Sequence, residues 1–393
     1  MREDLVVIGG GVMGLFTAYH ASERLERVVV LERGRIGDPM SASFGRTRSY
    51  RSDYLDAGYV RLARGAFRLW EEFEVETGTP ALIRCGCMNI AKRAVTPDLT
   101  STYGHRSHGV LEELDVPSAS LAGKALRARF PYLDADVGYI DVEGGVVDVP
   151  AVTAALRAAL AERDVRVVEG VSTRLVARRG GEIHVLTDAG EWAARSLVVT
   201  AGHGTNDVLT RLEGALLQVP LSRDRPIEAK YFTPAAGLRG QFVSDAMPVI
   251  AYLDAGIYCH PIIDGLIDKV KIGYYHPPDL PRATTAIDSV MTFVEQCLPA
   301  LQDARIEPVD DVDGCDYDLV ADDEFVLGAV PGFPGAYVGV GWRGTGYKFA
   351  PWVGRVLAEL AAQQSTGYDV SRFDPARFTK GRFDAGPAIS ANA

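Results

Sequence analysis

The sequence predicts a two-domain protein of mixed α/β (α+β) class, one domain built from three separated segments and a second, sheet-rich domain inserted between them. Three observations predict this. A β-branched run, a glycine turn and a helical stretch open the chain in "LVVIGGGVMGLFTAYHASERLERVVVLER". A second α/β stretch begins at "VVDVPAVTAALRAALAERDVRVVEG", and α/β character returns near the carboxyl end in "AYVGVGWRGTGYKFAPWVGRVLAEL". The segments expected for the first domain are 1–84, 145–214 and 311–393; those for the inserted domain are 85–144 and 215–310.

The opening stretch reads as a strand over residues 5–8, a helix from about 12 to 24, and a second strand in "VVVLE". In the second stretch Asp148 can cap, and Pro150 can open, a helix leading into a strand at Val165 to Val168. "STRLVARRGGEIHVLTDAGEWAARSLVVTAG" then alternates as two hairpins turning at Gly-Gly and at Asp-Ala-Gly, and ends in a buried strand. Residues 215 to about 310 carry strands rich in proline and aromatics, such as "IEAKYFTP" and "VKIGYYH". The closing segment reads as strand, glycine-rich turn and helix, followed by a small-residue tail that frays.

Gly9, Gly11 and Gly14 fit GxGxxG at the first strand-to-helix junction. The first allows a tight turn, the second lets backbone approach a pyrophosphate, and the third lets helix pack on strand. Open N–H groups at the helix start suit an anionic phosphate. Glu32 follows the second strand, where an acid can accept hydrogen bonds from ribose hydroxyls. The first domain is therefore Rossmann-like and binds a dinucleotide; at this step nicotinamide and flavin cofactors remain equally open.

Composition narrows the partners. A net charge of −11 lacks the basic footprint that nucleic acid or anionic lipid requires. No run approaches the roughly 18 apolar residues of a membrane span. The start "MREDLVVIGG" places acids where a signal peptide has a basic region, so a cytoplasmic protein is expected. Five cysteines, an odd and sparse set, suit a reducing compartment, and "CGC" at 85–87 reads as buried thiols rather than a metal site. No metal is expected.

"MSASFGRTRSYRSDY" sets Arg46, Arg48 and Arg51 in a Ser- and Gly-rich loop soon after the ribose-binding strand. With "VVIGGGVMG", "KIGYYH" at 271–276, Cys315 followed by "DYDLVADDEFVLG", and "GWRGTGYKFAPWVGRVLAEL", this loop makes five motifs in order along nearly the whole chain. Together they resemble the covalent flavin amine oxidases of the monomeric sarcosine oxidase and N-methyltryptophan oxidase family, within the D-amino-acid oxidase superfamily. The chain also resembles the piperideine-carboxylate oxidase of nikkomycin biosynthesis.

The resemblance implies FAD as cofactor, joined through a thioether to Cys315. It implies cofactor contacts at Gly9, Gly11, Gly14, Glu32, Arg33, Val171, Gly344, Gly346 and Lys348, and Arg48 beside the flavin ring, where fixed positive charge stabilises an electron-rich cofactor. Arg51 and Lys348 match a basic pair that holds a substrate carboxylate. Lys271 matches a lysine that activates O2, and Tyr258 matches an active-site tyrosine.

One departure stands out: the family places a histidine four positions after that lysine, whereas here Tyr275 occupies that place and His276 follows. Either His276 turns inward through a one-residue shift, or the pocket uses Tyr275. The departure argues against sarcosine itself as substrate. The expected activity is FAD-dependent oxidation of a secondary or cyclic amine bearing a carboxylate, giving an imine, with O2 reduced to hydrogen peroxide. Alternatives are a dehydrogenase with another electron acceptor, a biosynthetic oxidase of an unusual cyclic imino acid, or a flavoprotein in which flavin is structural. The expected partners are a small amino or imino acid and O2, with a monomer or weak homo-oligomer as the assembly.

Overall fold

The computed structural model describes residues 2–222, 228–274, 286–307 and 318–379. These residues divide into two compact units, one containing residues 2–38, 156–222 and 318–379, the other containing residues 39–155, 228–274 and 286–307. Residues 39–84 thus pack with the second unit, because strand Thr47–Tyr50 and strand Leu82–Ile83 both pair with strand Gly145–Asp148.

The first unit is built on an eight-stranded sheet whose centre is parallel. Strand Arg2–Ile8 lies between Gly190–Val199 and Val28–Leu31, with Ile8 in register with both Val199 and Leu31. Val28–Leu31 pairs in parallel with Arg166–Val168, and Gly190–Val199 with Ala336–Val340. At the centre of the sheet, residues 5–8, Val28–Leu31 and residues 197–199 are runs of buried valine, leucine and isoleucine, the composition of a sheet covered on both faces. The two predicted hairpins are present: Thr173–Arg179 meets Glu182–Thr187 through Gly180 and Gly181, whose φ values of 58° and 87° suit only a glycine-tolerant turn.

The opening helix runs Val12–Ala21, shorter than the expected stretch to residue 24. Asp148 caps the helix Val149–Glu162, its Oδ1 accepting the Ala151 N–H at 2.9 Å. The closing helix Ala350–Ala361 packs on the opening one at Gly354, where an added Cβ would come within 2.5 Å of the Phe16 backbone.

The second unit centres on another eight-stranded sheet. Its strands lie in the order Arg305–Ile306, Glu228–Thr233, Val270–Tyr274, Ile257–His260, Val249–Tyr252, Cys87–Ala91, Val137–Asp141, Ser118–Ala122. One face is the core, where Met88, Ile90, Ile250, Cys259, Val270 and Ile272 pack with the helix Val290–Cys297. The alternation of strand side chains therefore turns Asn89, Ala251, Tyr258, His260, Lys271 and Gly273 to the other face. The sequence reading has no counterpart for helix Ala57–Thr77, which starts at Asp56, whose side chain accepts the Tyr59 N–H, and ends at Gly78 with φ 65°. No helix among the described residues is long and apolar enough to cross a membrane.

Candidate active site

In the first unit, the glycine turn is sterically obligatory. A Cβ on Gly9 would come within 2.5 Å of the Thr200 carbonyl oxygen, and one on Gly14 would collide with the Gly9 carbonyl oxygen. Helix Val12–Ala21 begins at Gly11 with no side-chain cap, so backbone N–H groups are presented where a phosphate can take them. Glu32 is fixed beside this turn: Oε2 accepts the Gly10 N–H at 2.6 Å and Oε1 the Gly34 N–H at 2.7 Å. Val171 is buried and donates its N–H to the Glu32 carbonyl oxygen at 2.9 Å, while Arg33 is exposed. Gly9, Gly11, Gly14, Glu32 and Val171 thus gather at one end of the parallel strands.

The closing glycine-rich turn belongs to the same unit. Gly341 and Gly344 have φ of 84° and 69°, and a Cβ on Gly346 would overlap Trp342. Lys348 is buried and donates from Nζ to the Thr345 carbonyl oxygen at 2.9 Å. Asp318, which the sequence reading did not single out, accepts the Gly341 N–H at 2.9 Å. Burial pushes its carboxyl up to about 6, against the opposing pull of that hydrogen bond and of nearby His203.

In the second unit, strand pairing sets Lys271 directly opposite His260 and Gly273 opposite Tyr258. Lys271 is 2% exposed, with Nζ 5.7 Å from the centre of the Tyr258 ring. His260, missed by the sequence reading, lies two residues beyond Tyr258 and so shares its face of the strand. Both its ring nitrogens are engaged, Nδ1 with Thr47 Oγ1 and Nε2 with Ser49 Oγ, each at 2.8 Å. Those residues flank Arg48, whose guanidinium donates to the carbonyl oxygens of Thr47 (3.0 Å), Ala42 (3.2 Å) and Phe44.

Arg51 is buried in a polar cluster that the sequence reading also missed. Its Nη1 donates to both Asp53 Oδ1 (2.7 Å) and the Asp53 carbonyl oxygen (2.6 Å), and its guanidinium lies 4.7 Å from the centre of the Tyr54 ring. Asn89 Nδ2 donates to Asp53 Oδ2, and Tyr103 Oη to the Asp53 carbonyl oxygen at 3.1 Å. Asp141 accepts both the N–H and the hydroxyl of Ser52; burial and then the charge of Asp53 raise its carboxyl to about 6. Asp53 sits inside the quoted arginine loop, and its proximity to Arg51 in sequence was the available signal. Tyr275, His276 and Cys315 lie outside the described residues.

The first unit is a dinucleotide-binding α/β unit, and the second holds a sheet that presents the buried Lys271 and His260 beside the half-buried Tyr258, with the buried Arg51 in the same unit. Among known proteins, the family model "FAD dependent oxidoreductase" matches residues 4–360. The peroxisomal sarcosine oxidase of Homo sapiens is 29% identical over 95% of this chain and 96% of its own. Two solved structures share the fold: L-proline dehydrogenase from P. horikoshii (TM-score 0.78, 21% identity, 96% of this chain and 98% of that one) and the open form of NikD, an unusual amino acid oxidase essential for nikkomycin biosynthesis (0.73, 22%, 95% and 97%). The chain belongs to the FAD-dependent oxidoreductase family. The obligatory glycine turn, the uncapped helix start and Glu32 fit that cofactor.

Proposed function

We propose that the protein oxidises secondary or cyclic amines that bear a carboxylate, converting the carbon–nitrogen single bond to an imine. The observation that carries this reading is Lys271, buried opposite His260 and beside Tyr258 on one face of the second unit's sheet. FAD, when bound, supplies the acceptor for a hydride from the carbon beside nitrogen and passes the electrons to O2, releasing hydrogen peroxide.

The chain's own residues position and stabilise. Gly9, Gly11 and Gly14 leave room for the pyrophosphate, Glu32 takes ribose hydroxyls, and Arg33, Val171, Gly344 and Gly346 complete the cofactor cradle. Lys348 in the first unit offers a buried cation to an anionic ligand group, and Arg51 in the second is assigned to the substrate carboxylate. Arg48 supplies positive charge toward the cofactor ring. Tyr258 bounds the substrate space, and Lys271 stabilises negative charge developing on oxygen. Tyr275 and His276 stay the candidates for the family's histidine position.

The test is mixing with N-methylated and cyclic amino acids in the absence of air, where loss of the yellow absorbance supports the reading and persistent colour with every candidate removes it. Likeness to a proline dehydrogenase favours a second reading, the same oxidation with an electron acceptor other than O2. Recovery of colour on admitting air within a catalytic cycle supports the oxidase; recovery only with an added quinone supports the dehydrogenase.

We further propose a covalent thioether from Cys315 to the cofactor. Acid precipitation tests it: colour in the pellet and a Cys315 peptide carrying the flavin mass support the bond, and colour in the supernatant rejects it. A cytoplasmic location and a monomer or weak homo-oligomer belong to the same reading, supported by sequence alone.

A further inference from the structure

We propose that Asp53, held between Arg51 and Asn89, determines specificity, selecting amine substrates that carry an additional N–H donor on the side chain. The inference deepens the amine-oxidation reading and rests on it. Arg51 is 5% exposed, Asp53 3% and Asn89 1%, so their charges and dipoles interact without water between them. Arg51 therefore does not meet a substrate as a bare cation. It is half of a buried ion pair of zero net charge, with Asp141 and its raised carboxyl close enough to feel the charge of Asp53.

The local balance of donors and acceptors points the same way. Asn89 spends Nδ2 on Asp53, which orients the amide and leaves Oδ1 a buried acceptor with no partner among the described residues. An unpaired buried acceptor costs about 1–3 kcal/mol, which a ligand donor placed there recovers. The cluster also lies in line with the proposed reaction face. Asn89 is in register with Ala251, Ala251 with Tyr258, and Tyr258 with Gly273. Asn89 and Tyr258 thus stand two strand spacings apart, about 10 Å, with Ala251 the residue in register between them and Gly104 of helix Tyr103–Glu113 packed against Asn89. A side-chain amide or amine spans that gap toward Asn89 and Asp53, an alkyl group leaves the acceptor unpaired, and a second carboxylate is repelled by Asp53.

Three substrates of closely matched shape test this: N-methylasparagine, N-methyl-leucine and N-methylaspartate. The readouts are the anaerobic bleaching rate and the apparent Kd of the holoenzyme. The expected order is asparagine above leucine above aspartate, with about a tenfold preference for the amide over the alkyl side chain. Asp53→Asn should cut that preference to near unity and improve the aspartate analogue most; Asn89→Ser should erase the amide preference while retaining discrimination against aspartate. If Asp53→Asn does not retain flavin, the Asn89→Ser result carries the test. Bleaching by all three at equal apparent affinity in the wild type, or a preference unchanged in both variants, overturns the inference while leaving amine oxidation standing. No bleaching by these or by any other secondary amine overturns the functional reading itself.

Discussion

Tyr258 lies over Gly273: a single methyl group on residue 273 would overlap the tyrosine ring, because the two residues are in register on adjacent strands and the ring folds across the glycine. The sheet thus keeps one position without a side chain so that an aromatic ring can lie flat beside Lys271. Replacing Gly273 with Ala must displace Tyr258 or bend the strand. A loss of about 1–3 kcal/mol in stability is expected from overpacking. A turnover loss of tenfold or more, larger than that of Tyr258→Phe, is expected because the whole ring moves. Thermal unfolding and steady-state rates measured on both variants check this.

Gly14→Ala attacks the other unit. The new Cβ would collide with the Gly9 carbonyl oxygen, so the helix start must move away from the strand that presents it. The variant should lose cofactor during gel filtration and lose about 3 kcal/mol or more of stability. A control at Gly180, a hairpin turn with open space around it, tests position: Gly180→Asn should retain cofactor, since asparagine tolerates the positive φ.

Lys271→Met removes a buried charge beside Tyr258 while keeping the stem. The oxygen-dependent half of the cycle should slow by about a hundredfold or more, with a much smaller effect on anaerobic bleaching by substrate. Rapid mixing of each half separately reads the two effects. Equal slowing of both would place Lys271 in substrate binding instead.

Asp318 gives a pH dependence whose sign follows from its raised carboxyl. Its folded-state value of about 6 lies above the ordinary 3.8, so the folded protein binds the extra proton between these values. Stability should then fall as pH rises from about 4 to about 6, by at most about 3 kcal/mol for this group. Asp318→Asn keeps an oxygen for the Gly341 N–H and removes the titration. It should stabilise the protein at pH 7.5, leave it near wild type at pH 4, and flatten the slope between; urea denaturation across that range checks it.

Legibility in the sequence followed the range of the interactions. The glycine turn, the hairpin at Gly180 and Gly181 and the Asp148 cap are set within a few residues, and each was readable from spacing and residue type. Helix Ala57–Thr77 was not read, although its Asp56 cap and Gly78 stop were both visible. Asp53 and Asn89 are 36 residues apart, and His260 is 11 residues before the lysine it faces. Their meeting depends on strand order and register, which a pattern search along one chain does not supply. The family resemblance marked Arg51 as a carboxylate holder, yet the ion pair with Asp53 changes what that arginine offers a ligand.

Substrate chemistry adds one more expectation. An amine gives up hydride only when neutral, so the bleaching rate at low substrate should rise with pH toward the amine's own pKa. A flat profile from about pH 6 to 10 would remove neutral-amine hydride transfer from the mechanism.

Amine oxidation by this chain is tested by a single turnover in two stages: anaerobic mixing with a secondary or cyclic amino acid, then admission of air with peroxide and imine or its hydrolysis product quantified. The expected result is complete bleaching in the first stage, then return of the yellow colour with one hydrogen peroxide and one oxidised amine per site. Colour that persists through the first stage with every secondary amine, while a different substrate class bleaches it, would rule out secondary-amine oxidation as the activity.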